Sequence, residues 1–547
     1  MKTKSFLFSV LFLAAILVGC EQPQTKPEGE ANSYITVSVK SSMLSRAATD
    51  GNYIDGVGVE NEIKSIDFYF FSTSGEPFKF NAPITTGSTS GYSNLYTVTE
   101  KTIETTEKDH VEEIVKVTLA LQHNMGDYPG SIVAIVNGTR RFENLRFEDF
   151  RAHTFNGHAT ENGFLMSNSV YVDKDGKEVF QTKVSPENFA VTAEAAKLKP
   201  IEIYVERTAV RVEVAQKDQT VTSYDTGYEF VNGTTTKVYA EIIGWDIVTV
   251  PLHAYTVKRI DKNWETEING FTWNHPDDFR SWWADASFAP EDINKQFAYN
   301  LLKNKVGLEN YDYCLENTTL PKYVANNGVH DQVASRTNVT KAVIAAKLVD
   351  KDGNELQIAS WYGKDYTIEG LKTAIANSLA DKMLYSDGGT WKSIEPNQIE
   401  LVQGSGLDGE EKSYEVYCQL TKEARDNYNW AQDAGGTNIP NEEEQNYIRQ
   451  NVEVAKIWNG MSYYIVNIEH LGIKEMDGET YLPAYYGTVR NHAYQITFGA
   501  VKGLGTPVYD SEAIIPEPVQ PDDTESFIEA QINVLSWHLI KQDVTLQ

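Results

Sequence analysis

Between Pro200 and Gln216 the chain reads PIEIYVERTAVRVEVAQ, apolar and polar residues in turn over an unusually long run. A period of two places one set of side chains on one face of a pleat, whereas a helix would scatter the same set around its axis. The stretch YITVSVK repeats the period, with Ile35, Val37 and Val39 set against Thr36, Ser38 and Lys40. IKSIDFYFF and SIVAIVNG are apolar nearly throughout and end in turn residues, which predicts buried strands. In VDKDGKEV (172–179) and VDKDGNEL (349–356), Asp-Gly stands between alternating segments and signals hairpins. A calcium loop does not fit either one, because Gly176 and Gly353 arrive before a third ligand and no Glu closes the loop.

The clearest helix is TIEGLKTAIANSLADKM, with Leu371, Ala374, Ile375 and Leu379 on one face; it is expected to pack on a sheet of the second domain. Thirty Tyr against seven Met suit a pleated surface better than a helical bundle. The expected fold class is therefore all-β, β-rich with a few short helices. With 547 residues, 41% of them hydrophobic, the chain is long enough for two domains, expected at 47–200 and 201–506.

Both ends carry signals of processing. Lys2 and Lys4 precede an apolar run from Phe6 to Val18 that is too short to favour a membrane span, and LVGC has the layout of a lipobox. Residues 1–20 then form a lipoprotein signal peptide and Cys20 accepts the lipid; an ordinary signal peptide with an incidental Cys is the blander alternative. Residues 21–46 are read as a propeptide: a Pro- and Glu-rich tether, the strand of Ile35, Val37 and Val39, and the start of a polar, small-residue loop, SSMLSRAATDGNY from Ser41, with Arg46 followed by Ala47. At the other end, 507–526 is a Pro- and acid-rich connector to the segment 527–547. There Ile528, Ala530, Ile532 and Val534 alternate, the phase shifts at Leu535, Trp537 and Leu539, and it returns at Val544 and Leu546. One bulged strand, or two segments pairing with different partners, would produce that pattern.

A formal charge of −29 without a Lys/Arg cluster argues against nucleic acid as a partner. Once Cys20 is lipidated, Cys314 and Cys418 are left as a disulfide or as two buried thiols. No nucleophile with its base, zinc helix, phosphate loop or dinucleotide turn stands in a convincing context. His153 and His158 bracket a loop that offers no defined third metal ligand. The chain thus reads as a non-enzyme with no catalytic, metal or cofactor site. Trp264, Trp273, Trp282 and Trp283 could stack on sugar rings, although core packing of a long loop explains them as well.

Taken together, the lipobox, the strand before Arg46, IKSIDFYFF, VERTAVRVEV, GWDIVTVPLHAYTVKRI, YYIVNIEHLG, VRNHAYQITFGAV and INVLSWHLIKQDVTL resemble the fimbrillins of Bacteroidales, the type V pilins. The resemblance is nearest to the major subunits of the short (minor) fimbriae; residues 216–338 match least. It implies export as a lipoprotein, two transthyretin-like β-sandwich domains in tandem, and cleavage after Arg46 by an arginine-specific protease. The first strand would then leave, and the C-terminal segment of a neighbouring subunit, with Trp537, Leu539, Val544 and Leu546 as its candidate donor side chains, would fill the gap. The implied partners are the chain itself, anchor and tip accessory subunits, host or bacterial surface receptors, and the outer membrane through the lipid until cleavage. The implied role is that of a structural subunit of a surface fimbria that supports adhesion and biofilm formation. The alternative is a non-polymerising surface lipoprotein, such as a tip adhesin or glycan binder, that keeps residues 21–46.

Overall fold

The computed structural model describes the chain from residue 31 to 536 except segments 45–55, 82–92, 100–103, 106–110, 173–177, 261–266, 269–270, 273–283, 319–323, 327–328, 332–337, 405–413, 471–475, 478–479, 482–486 and 518–526, and positions 57, 125, 140–141, 158, 161–162, 287 and 469. Strands dominate, and the helices are short.

The first sheet contains β1 (Ser33–Leu44), β2 (Ser65–Phe71), β3 (Leu95–Thr99), β4 (Val111–Leu121), β5 (Ser131–Val136), β6 (Met166–Asn168) and β7 (Ile201–Arg207). Their order is β3-β2-β5-β6-β7-β1-β4, with Glu104–Thr105 beyond β4. Ile66, Phe68 and Phe70 of β2 share one core with Val115, Val117 and Leu119 of β4, which lie far along the sheet. The sheet is therefore folded over on itself as a sandwich. On the back of β2 and β5, Tyr69, Phe71, Val133 and Ile135 pack with Phe142, Phe147 and Phe150. This second layer is why those two segments are apolar on both faces.

The second sandwich has two sheets. One is ordered β11 (Tyr311–Leu315), β8 (Ala209–Gln216), β14 (His492–Lys502), β16 (Phe527–Ser536); the other is ordered β9 (Tyr224–Asn232), β10 (Thr234–Val248), β12 (Lys341–Val349), β13 (Met461–Asn467), β15 (Thr506–Val508). Val210, Val212, Val214, Tyr494, Ile496 and Phe498 from the first meet Trp245, Ala342, Ile344, Ala346 and Tyr464 from the second. The long alternating run at 200–216 is thus two strands, β7 and β8, in different sandwiches. Thr208 alone joins them; it is fully buried, and its N–H and hydroxyl both donate to the Leu165 carbonyl.

Two expectations are revised. The helix α2 (Ile368–Ser378), capped by the Thr367 hydroxyl accepting from Gly370 N at 3.1 Å, does not rest on a sheet of the second sandwich. Its Leu371, Ile375 and Ala376 enter a separate core with Trp361, Leu401, Trp430 and Ile448. That core belongs to an insert, residues 350–460, between the paired strands β12 and β13. The helix goes there because the faces of β12 are already covered, Ile344 by the facing sheet and Val343 by Phe297 and Tyr299. The polar loop before Arg46 also starts later than Ser41: β4 extends to Val111, and β1 follows it through a bulge to Leu44.

Cys314 and Cys418 are both free and buried in different cores. Burial pushes the Cys418 thiol up to about 12 and the Cys314 thiol higher still, so both are inert in water near neutrality.

Candidate functional site

β1 lies in the interior of its sheet, although it comes from the N-terminal end of the described chain. It runs parallel to β7, from Val37 opposite Ile201 to Ser41 opposite Val205, and antiparallel to β4, from Ser33 opposite Leu121 to Leu44 opposite Val111. Ile35, Val37 and Val39 are each 0% exposed and face Val115, Val117, Leu119, Ile203 and Val205 in the core. The alternation of YITVSVK is thus realised in three dimensions. Burying three such side chains contributes about 5–9 kcal/mol, a large share of the roughly 5–15 kcal/mol that holds a domain together. Withdrawing β1 would also leave two unpaired sheet edges facing each other. Such a slot calls for another strand.

The outward face of β1 carries small hydroxyl residues. Thr36 and Ser38 are buried, and the Thr36 and Thr118 hydroxyls meet at 2.9 Å. A flap formed by residues 185–199 covers them. Ala190 exchanges two backbone hydrogen bonds with Tyr34, both 2.8 Å, and α1 (Ala193–Lys197) lies against β1 and β4 with Ala196 buried. Phe189 anchors the flap beside Tyr128 and His123. At the start of the strand, Asn32 Nδ2 donates to the His123 carbonyl at 2.7 Å and Asn32 N to that of Leu121 at 3.0 Å.

Cys20, Arg46 and Ala47 lie outside the described residues, as do Trp264, Trp273, Trp282 and Trp283. The last described residue of β1, Leu44, stands two positions before Arg46. Of segment 527–547, β16 pairs with β14 of its own sandwich as an edge strand, from Lys502 opposite Phe527 to His492 opposite Ser536. The ladder continues unbroken through Leu535, and its one register shift falls at Gly499 in β14 rather than in the tail. Trp537, Leu539, Val544 and Leu546 lie beyond it, outside the described residues. His153 Nδ1 bonds the Asp149 carbonyl at 2.7 Å in the loop that also carries His158, itself outside the described residues.

A buried polar junction between the two sandwiches was not anticipated from the sequence. Glu60, in the turn Gly58–Asn61 that follows the segment carrying Arg46, accepts a hydrogen bond from the Tyr313 hydroxyl of β11 and lies 3.6 Å from Arg211 Nη1 of β8. Arg207 Nε donates to the Glu60 carbonyl at 2.7 Å, and Arg207 N to Asn491 Oδ1 at 3.3 Å. Arg211 also pairs with Glu213 and sits 3.9 Å above the Tyr311 ring. Burial draws the Arg207 guanidinium down to about 10; burial and then the Glu60 carboxylate push the Tyr313 hydroxyl far above the usual phenol range. A second tie lies nearby: Arg490 pairs with Glu316 at 3.0 Å and donates to the Tyr255 carbonyl at 2.7 Å, within the two-stranded ladder of Thr154–Asn156 and His253–Tyr255. The polar residues that interrupt VERTAVRVEV were the one signal for this junction.

A fimbrilin from Porphyromonas gingivalis W83 aligns at 15% identity and a TM-score of 0.38, over 94% of this chain and 99% of that one. A candidate cell adhesion protein from Parabacteroides distasonis ATCC 8503 aligns at 10% identity and a TM-score of 0.35, over 94% and 99%. The tip fimbrial protein Mfa3 from Porphyromonas gingivalis, with C-terminal truncation, aligns at 10% identity and a TM-score of 0.30, over 92% and 100%. No curated protein sequence matches. Residues 456–543, which hold β13, β14, β15 and β16, match the family model described as "Major fimbrial subunit protein type IV, Fimbrillin, C-terminal", so in that segment the chain is similar to the fimbrillins.

Proposed function

We propose that this chain is the polymerising subunit of a cell-surface fimbria, of the short-fimbria major-subunit kind. It is exported with a lipid on Cys20 and matured by cleavage between Arg46 and Ala47. It then assembles when the C-terminal segment of a second copy replaces β1. The match over 456–543 supports a fimbrial, cell-adhesion subunit in general. The observation that carries the finer reading is the place of β1: an interior strand, paired on both sides and fully buried at Ile35, Val37 and Val39, that ends two residues before Arg46. A strand so placed completes the precursor during export, and its loss creates a binding site for another. Main-chain bonds would supply affinity, and alternate side-chain pockets would set the register. Trp537, Leu539, Val544 and Leu546 are apolar enough to fill those pockets. The test is to cleave purified precursor with an arginine-specific protease and analyse the fibres that form. Fibres lacking residues 20–46 support the reading; fibres that retain this fragment in stoichiometric amount overturn it.

A further inference from the structure

Lys341 opens β12, and Asn467, the last residue of β13, stands directly opposite it. Ile468 N donates to the Thr340 carbonyl at 3.2 Å, so the hydrogen-bonded pair is the neighbouring one. Lys341 and Asn467 therefore form a non-hydrogen-bonded pair, the kind whose side chains stand closest. By the period of two they share a face with Val343, Ala345, Tyr463 and Ile465, which is covered by Phe297, Tyr299 and Ile515. Lys341 is buried there, and the Asn467 amide oxygen is buried with no hydrogen-bond partner among the described residues. A carboxylate stands by. Phe297 pairs with Ile515, and two residues further toward the same end Lys295 Nζ meets Glu517 Oε2 at 3.6 Å. Burial draws the Lys341 ammonium down to about 8, with Glu517 opposing and Lys295 adding. The neutral, nucleophilic amine is thus present near neutrality, as it is not for an ordinary lysine.

We propose that Lys341 and Asn467 are the site of an autocatalytic modification, a side-chain amide cross-link between β12 and β13, with Glu517 as the proton carrier. The Lys341 amine attacks Asn467 Cγ, and a new C–N bond forms. Glu517 takes the proton from Nζ and delivers it to the Asn467 side-chain nitrogen, whose bond to Cγ breaks. Ammonia leaves; nothing is oxidised or reduced, and no co-reactant is needed. The product is a neutral secondary amide, so a charge that is costly to hold on an apolar face disappears. The cross-link would close the β12–β13 pair at the end away from the insert 350–460, so that opening the insert would not part the two strands.

The test is peptide mapping of purified full-length protein by trypsin and mass spectrometry. A linked Lys341 resists trypsin, so residues 337–347 and 457–474 should appear as one branched peptide. Its mass should be that of its two arms less one ammonia. Lys341→Met fills the same space without an amine and should give the two peptides separately. Glu517→Gln should slow formation of the branched peptide by about a hundredfold, the effect of losing a positioned proton carrier. Wild-type protein that yields only the separate peptides 337–341 and 457–474 would overturn the proposal. A branched peptide that forms as fast in Glu517→Gln would overturn the part given to Glu517.

Discussion

Tyr313 donates a hydrogen bond to Glu60 across 253 positions of sequence, joining the second sandwich to the turn that follows the segment carrying Arg46. This contact sits in a junction that both sandwiches fill, so it ties the proposed mature N-terminus to the body of the subunit. Cleavage at Arg46 would free what precedes the loop and leave Glu60 in place.

Tyr313→Phe should keep the ring's contact with Phe164 but remove one donor from a buried carboxylate. Leaving such a group short of a partner costs about 1–3 kcal/mol. The urea midpoint should fall accordingly, and an unchanged midpoint would show that Glu60 is satisfied without Tyr313.

Arg46→Ala should leave folding and lipidation intact and block maturation, because only the exposed loop is altered. The readout is the ladder of polymer on a denaturing gel, which should vanish. A normal ladder from this variant would rule out cleavage at Arg46 as the trigger.

Cys20→Ser should release the precursor from the membrane fraction without unfolding it. Cys20 precedes a Pro- and Glu-rich segment read as an extended tether, so no core contact is expected there. Fractionation and a thermal melt of the soluble material check both halves; loss of folded protein would contradict the tether reading.

Deleting Lys541–Gln547 separates two roles for the tail. If the segment past β16 is donated to a neighbour, cleaved monomer should melt almost as before yet form no fibres. Truncated protein that still assembles, or that melts much earlier, would make the segment part of its own sandwich.

Glu444 at the start of the helix Glu444–Asn451 gives the insert a pH signature. Its side chain is buried, and desolvation lifts its carboxyl from 4.5 to about 7, with Arg425 opposing. A folded-state value above the unfolded one means the contribution is fully present below pH 4.5 and is lost as pH rises toward 7. Glu444→Gln should therefore raise the unfolding free energy measured in urea at pH 8 by about 1–2 kcal/mol and have little effect at pH 4. An equal effect at both pH values would show that Glu444 does not titrate in this range.

Local pattern carried much of the fold. The alternation at Ile35, Val37 and Val39, the doubly apolar runs that became β2 and β5, and the amphipathic face of α2 were legible because each depends on neighbours along the chain. Position in the sheet was not. Nothing in YITVSVK tells an edge strand from an interior one, since pairing with β7 joins residues more than 160 positions apart. For the same reason the separate core of the insert stayed hidden, and α2 was expected on the wrong surface. Glu60, Arg207, Arg211 and Tyr313 are polar residues whose burial depends on one another, and a linear pattern treats each as a solvent-facing position.

Thr208 has a mechanical consequence. β1 pairs in parallel with β7; β7 passes through this one buried residue into β8; β8 pairs in parallel with β14, and β14 pairs antiparallel with β16. In a fibre assembled through the slot, tension pulling on one subunit would cross it from strand to strand along continuous backbone and hydrogen-bond ladders, with no long loop in the path. Ladders loaded lengthwise yield only when many bonds break together. Such a filament would resist shear as a cable does, and its weakest link under flow would be the seated strand rather than the sandwiches it joins.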